Sequence, residues 1–90
     1  MAAGPFWSER FQRHVWLTHH ALIRALERNI SPDLILEIVE TGTLVEREGG
    51  HCWIWKFIEA RHDNLLCLAA LLGNALIVKT VMNHFEPEGL

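Results

Sequence analysis

The amino-acid sequence predicts an α+β fold in which two N-terminal helices pack on a curled four-stranded antiparallel sheet. Three observations carry that expectation. Two apolar stripes of helical spacing precede residue 42, the hydrophobic pattern changes to that of strands from residue 43, and turn residues punctuate the second half at short intervals. Ninety residues, half of them hydrophobic and 21% charged, have the composition of one folded domain. A chain this short buries only about 60 to 65% of the surface its unfolded form exposes, so a homodimer or a partner covering apolar surface suits it.

Residues 1–13 mix Gly4, Pro5, Phe6 and Trp7 with charge and read as an N-terminal arm, either loose or folded into an extra helical turn. The single domain is expected over 14–87, with 88–90 as a tail. Residues 14–17 are short and extended. Thr18 is placed to cap a helix in which Ala21, Leu22, Ala25 and Leu26 recur at helical spacing, and Asn29 can close it in the left-handed conformation. Ser31 and Pro32 form a cap and first-turn pair for a second helix, whose stripe is Leu34, Ile35, Ile38 and Val39 and whose end is Gly42.

Four strands are expected to follow, at 44–48, 51–59, 65–72 and 75–82. Gly49-Gly50 makes a two-residue hairpin turn between the first pair. Residues 61–64 and Gly73-Asn74 supply the other turns, and the unbroken apolar run Leu65–Leu72 suits a central strand. In the last strand Ile77, Lys79 and Val81 alternate with Val78, Thr80 and Met82, so Lys79 should point to the face opposite Thr80. Both helices precede the sheet and should cover one of its faces.

Formal charge is −3 and unevenly spread. Residues 1–30 carry Arg10, Arg13, Arg24 and Arg28 against Glu9 and Glu27, whereas residues 31–50 carry Arg47 against Asp33, Glu37, Glu40, Glu46 and Glu48. Nucleic-acid binders usually present a basic face, so the overall acidity weighs against that class while the basic first third supports it. No basic-then-apolar leader opens the chain, and no apolar run approaches the roughly 18 residues of a membrane span, so a cytoplasmic protein without a membrane partner is expected. Cys52 and Cys67 lack metal-binding spacing and read as reduced core thiols. None of the six histidines forms an HxxxH or HxH pattern beside a carboxylate, so neither a metal nor another cofactor is expected. A Gly-rich phosphate loop and a nucleophile elbow are missing too.

The run H-A-x-x-R-x-x-x-R-x-I-S-P over 20–32, a helix ending in T-G, then L-V-E, and I-V-K-T-V-M-N-H-F-E-P over 77–87 resemble a small bacterial domain family of unknown function. That family is distantly similar to the RelE-type toxins, messenger-RNA endonucleases of toxin-antitoxin systems. The likeness covers about residues 17–87 and implies a RelE-like fold, a metal-independent endoribonuclease activity, and messenger RNA or the ribosome together with a cognate antitoxin as partners. The chain departs from active RelE toxins in being acidic, in having no Tyr, and in having no Lys or Arg after Lys79.

Metal-free RNA cleavage needs a base for the 2′-hydroxyl proton, an acid for the leaving oxygen and cations for the phosphorane. His20, Arg24 and Arg28 stand at successive i, i+4 positions and share one helix face. His19, about 100° from His20, cannot share its site. His20, His84 and Lys79 are therefore the candidate catalytic residues, and Arg24 and Arg28 the candidate phosphate contacts. Arg24 and Arg28 flank Glu27 and read equally as a solvated, salt-bridged surface, and His20 reads equally as a group fixing the helix start. Trp53 and Trp55 share a strand face with Phe57, where they either stack bases, bind a partner or fill the core beneath the helices. The competing function is accordingly a non-catalytic protein-binding module or inhibitor of the same fold, acting through its Trp-rich sheet. Convergence of His20, Arg24, Arg28 and Lys79 in one concave groove separates the two, since dispersed positions favour the binding module.

Overall fold

The two helices start and stop where the capping residues direct. In a computed structural model that describes residues 3–58 and 65–83, helix α1 spans His19–Glu27 and helix α2 spans Pro32–Thr41. The Thr18 hydroxyl accepts from the Ala21 amide at 3.1 Å, and the Ser31 hydroxyl accepts from the Leu34 amide at 3.1 Å. Asn29 takes the left-handed φ of 54° that closes α1. Gly42 ends α2 for a different reason. Its backbone is extended, but a Cβ there would sit 2.6 Å from the Ile38 carbonyl oxygen and 2.8 Å from that of Trp55.

The sheet has six strands: β1 (Ala3–Ser8), β2 (Arg13–Leu17), β3 (Thr43–Glu46), β4 (His51–Phe57), β5 (Leu65–Leu72) and β6 (Leu76–Asn83), in the order β1-β2-β6-β5-β4-β3. The antiparallel meander from β3 to β6 follows expectation. The expected four-stranded, wholly antiparallel sheet is corrected, because β2 runs parallel to β6 and β1 pairs antiparallel with β2. A tertiary anchor holds the β1–β2 turn against α2. The Glu40 carboxylate of α2 accepts from the Ser8 hydroxyl and the Arg10 amide, each at 3.0 Å, and from the Glu9 amide at 2.6 Å. In return the Arg10 guanidinium donates to the carbonyls of Val39 (3.1 Å) and Gly42 (2.7 Å) at the end of α2.

At the β3–β4 turn Gly49 and Gly50 adopt φ of 70° and 83°, and the His51 amide donates to the Glu48 carbonyl, as a tight hairpin requires. The amide returning to the His51 carbonyl, however, is that of Arg47, at 2.7 Å. One extra residue therefore bulges out, and β3 stops at Glu46 rather than 48.

Val15, Leu17, Ile54, Leu66, Leu68, Leu76 and Val78 meet Ala21, Ala25, Ile35, Ile38 and Val39 in one buried core, so both helices cover the same sheet face. Cross-strand rows on the other face read Trp16–Ile77–Leu71–His51, then Thr80–Ala69–Trp53–Val45, then Met82–Cys67–Trp55–Thr43. Trp53 and Trp55 thus share a face as expected, and it is the face away from the helices. Trp7 joins it through His14, its β2 neighbour, in an edge-to-face pair with ring centroids 5.1 Å apart.

The expectation that Lys79 and Thr80 face opposite ways is also corrected. Ala69 pairs with Thr80 and Ala70 with Val78, which leaves Lys79 as an extra residue in β6. Val78 and Val81 are both buried, so the two residues between them turn away from the core together.

Candidate functional site

The β6 bulge decides where the site lies. An open groove of about 1150 Å³ crosses the sheet surface from the start of α1 to the β3–β4 turn. His20, Lys79 and Thr80 line it at the β6 end, and Ala69, Ala70 and Trp53 in the middle. Glu46, Arg47, Glu48, His51 and Cys52 line the far end.

His20 reaches the groove because Thr18 does two jobs. Its hydroxyl caps α1 and donates to the Lys79 carbonyl at 3.0 Å, while its amide donates to the Val78 carbonyl at 3.0 Å. The first turn of α1 is thereby stitched to the strand exactly where β6 bulges, which sets His20 and Lys79 on one groove wall. Both side chains are exposed and available to a ligand.

The other candidates divide. Arg24 and Arg28 stand further along α1 and do not line the groove; Arg24 instead pairs with Glu27 at 3.1 Å, both side chains exposed. Trp53 lies in the groove, while Trp55 lies beside it on the same sheet face. The Trp55 indole nitrogen is buried without a hydrogen-bond partner among the described residues. His84 lies outside the described residues.

Two groove residues were not singled out from sequence. Arg47 sits in the most acidic stretch of the chain, yet its guanidinium lies 4.9 Å from the centroid of the Trp53 ring. His51 follows the Gly-Gly turn and pairs across the sheet with Leu71. The signal available in the sequence was their position around the Gly49-Gly50 turn, Arg47 two residues before it and His51 directly after it, where the ends of β3 and β4 come together.

The groove thus offers two imidazoles, an ammonium, a guanidinium and an indole, with Glu46 and Glu48 at the Arg47 end. Imidazoles accept and donate protons near neutral pH, and the two fixed cations attract an anion. The thiols are not part of that chemistry. Burial pushes Cys67 up to about 12, and Cys52 is raised by burial and, secondarily, by the Glu46 charge, so both stay protonated at neutral pH. Among the described residues no group of three or more His, Cys, Asp or Glu stands ready for a metal ion, and no helix is long and apolar enough to cross a membrane.

A family model matches residues 17–83, about three quarters of the chain. The chain belongs to DUF4258, a domain of unknown function. All of the groove residues fall inside this DUF4258 segment, whereas β1 and most of β2 precede it. Neither the curated proteins nor the solved structures yield a match to this DUF4258 chain.

Proposed function

We propose that this chain is a metal-independent endoribonuclease of the RelE-like toxin type, working on RNA held across the sheet groove. The observation that carries the reading is the meeting of His20 and Lys79 with His51 and Arg47 in one groove. In the reaction one imidazole removes the proton of a ribose 2′-hydroxyl, and the oxygen attacks the adjacent phosphorus. The other imidazole protonates the departing 5′-oxygen. The products are a 2′,3′-cyclic phosphate and a free 5′-hydroxyl, so no water, metal or redox partner enters the first step. Lys79 stabilises the charge on the phosphorane oxygens. Within the segment that follows the β1–β2 hairpin, two helices and then the β3–β6 meander have the element order that the suggested RelE resemblance would call for, and this supports the same reading.

The test is incubation of the purified protein with single-stranded RNA in the presence of EDTA, with chemical mapping of the ends. Cleavage to cyclic-phosphate termini that disappears in a folded His20→Ala, Lys79→Ala variant is expected. Intact RNA at high enzyme concentration overturns the assignment. In a bacterium, induction should arrest growth and produce new 5′ ends, and co-expression of a cognate antitoxin should relieve the arrest.

A second reading has its own observation. All four tryptophans lie on the sheet face opposite the helices, with Trp7 45%, Phe57 54% and Ile77 36% exposed. Isolated apolar side chains are common on surfaces, but a contiguous aromatic face marks a protein interface. A non-catalytic binding module would use this face, and replacement of Trp16 and Ile77 by polar residues would abolish its complex while leaving the groove untouched.

A further inference from the structure

We infer that Trp53 and Arg47 form a nucleobase-stacking subsite that makes the groove select single-stranded over duplex RNA; the inference rests on reading the groove as an RNA site. Trp53 lies mid-row between Val45 and Ala69, half-buried at the base of the groove. Its direct partner on β5 is Ala69, the smallest side chain in the row. On its other side the Arg47 guanidinium covers the ring at 4.9 Å. A planar guanidinium over an indole makes a flat surface onto which an aromatic base can stack, because bases stack on Trp faces and on Arg planes alike.

Charge assigns the two ends of the groove to different parts of a nucleotide. At the β6 end Lys79 and His20 stand without a carboxylate among the described lining residues. At the β3–β4 end Arg47 is flanked by Glu46 and Glu48, so its charge is offset there and a phosphate gains little. An uncharged base suits that end and a phosphate suits the other. Trp53 on β4 lies two strand spacings, roughly 10 Å, from Lys79 on β6. A base can occupy the Trp53 end only when it is unpaired and free to leave its stack, and a duplex holds its bases inside.

The experiment is fluorescence anisotropy with a labelled RNA oligonucleotide, its duplex and its abasic counterpart, on His20→Ala protein so that the RNA stays whole. Tight single-strand binding, with duplex and abasic RNA weaker, is expected. Trp53→Leu should weaken the single strand on the order of tenfold to a hundredfold and leave duplex and abasic binding unchanged, while Trp53→Phe should retain most of the affinity. Circular dichroism of each variant confirms the fold. If Trp53→Leu leaves single-strand binding unchanged in the His20→Ala background, and Trp53→Leu with His20 intact cleaves like wild type, the stacking subsite is refuted and the ribonuclease reading stands. Absence of binding to any RNA by the unsubstituted chain refutes both. Equal or tighter duplex binding refutes the inference alone.

Discussion

Replacement of Glu40 by alanine should loosen the N-terminal hairpin before the rest of the domain. The carboxylate receives three donors from the β1–β2 turn: the Ser8 hydroxyl and the Arg10 amide on one oxygen, and the Glu9 amide on the other. Two of these bonds are exposed, so each is worth about 0.5 to 1.5 kcal/mol net rather than the larger value of a buried charged bond. The Ser8 hydroxyl is fully buried, and it would lose its acceptor outright, which costs about 1 to 3 kcal/mol. These terms overlap, and a loss of about 2 to 3 kcal/mol is the expected total. Glu40→Gln separates charge from shape. Its amide oxygen can keep the Ser8 and Arg10 bonds, but its NH2 then meets the Glu9 amide donor to donor, so about half the loss should remain.

Urea unfolding followed by tryptophan fluorescence gives the global loss, since Trp7 and Trp16 report on the hairpin. Amide hydrogen exchange at Glu9 and Arg10 gives the local one, and both protons should exchange much faster in the alanine variant. Stability within about 0.5 kcal/mol of wild type, with unchanged exchange at those two amides, would show that the hairpin does not depend on Glu40.

Three further outcomes are expected. Lys79→Gln should weaken RNA binding and reduce the slope of log affinity against log salt by about 0.7, the share of one phosphate contact on a single strand; an unchanged slope removes Lys79 from the phosphate site. Gly42→Ala should destabilise by about 1 to 3 kcal/mol in thermal or urea unfolding, because its Cβ would meet two backbone oxygens that cannot rotate away, and a neutral result would contradict that packing. Stability should fall as pH rises above about 9. There the unfolded thiols lose their protons, while Cys67, held near 12 by burial, keeps its proton in the fold, so alkaline pH favours the unfolded chain by about 1.4 kcal/mol per pH unit for that thiol. The chain has no Tyr to confuse the window, and Cys67→Ala should flatten the decline; an equal slope in that variant would mean the thiol does not set it.

What sequence could show depended on how local each cause was. Thr18, Asn29, Ser31 and Pro32 act within a few residues of themselves, and both helices were legible from them. The β3–β6 meander was legible because Gly49-Gly50 and Gly73-Asn74 are turn signals between apolar runs. The β1–β2 hairpin was not, since the group that holds its turn is Glu40, an ordinary acidic residue on a distant helix. The direction of Lys79 was misread for a related reason. Strict alternation is the rule for a strand, and a single extra residue in β6 breaks it without any glycine or proline to announce it. In the site, His20, Lys79 and Trp53 do line one groove, but the helical spacing that joined His20 to Arg24 and Arg28 carried no information about where α1 ends relative to the sheet.

The family boundary gives the two functional readings different addresses. Groove residues fall within 17–83, whereas Trp7 and Trp16 come from the hairpin that precedes the matched segment. That hairpin extends the sheet past β6 and adds two of the four tryptophans to the open face, so it widens the aromatic surface without contributing a side chain to the groove. Catalysis, if it belongs to the groove, draws on what this chain shares with DUF4258; docking through the enlarged face draws on what the hairpin adds. Loosening the hairpin with Glu40→Ala should therefore weaken a complex formed on the tryptophan face far more than it slows cleavage in the groove. Equal losses of both would mean that groove and face are one surface, with the partner and the RNA competing for Trp53.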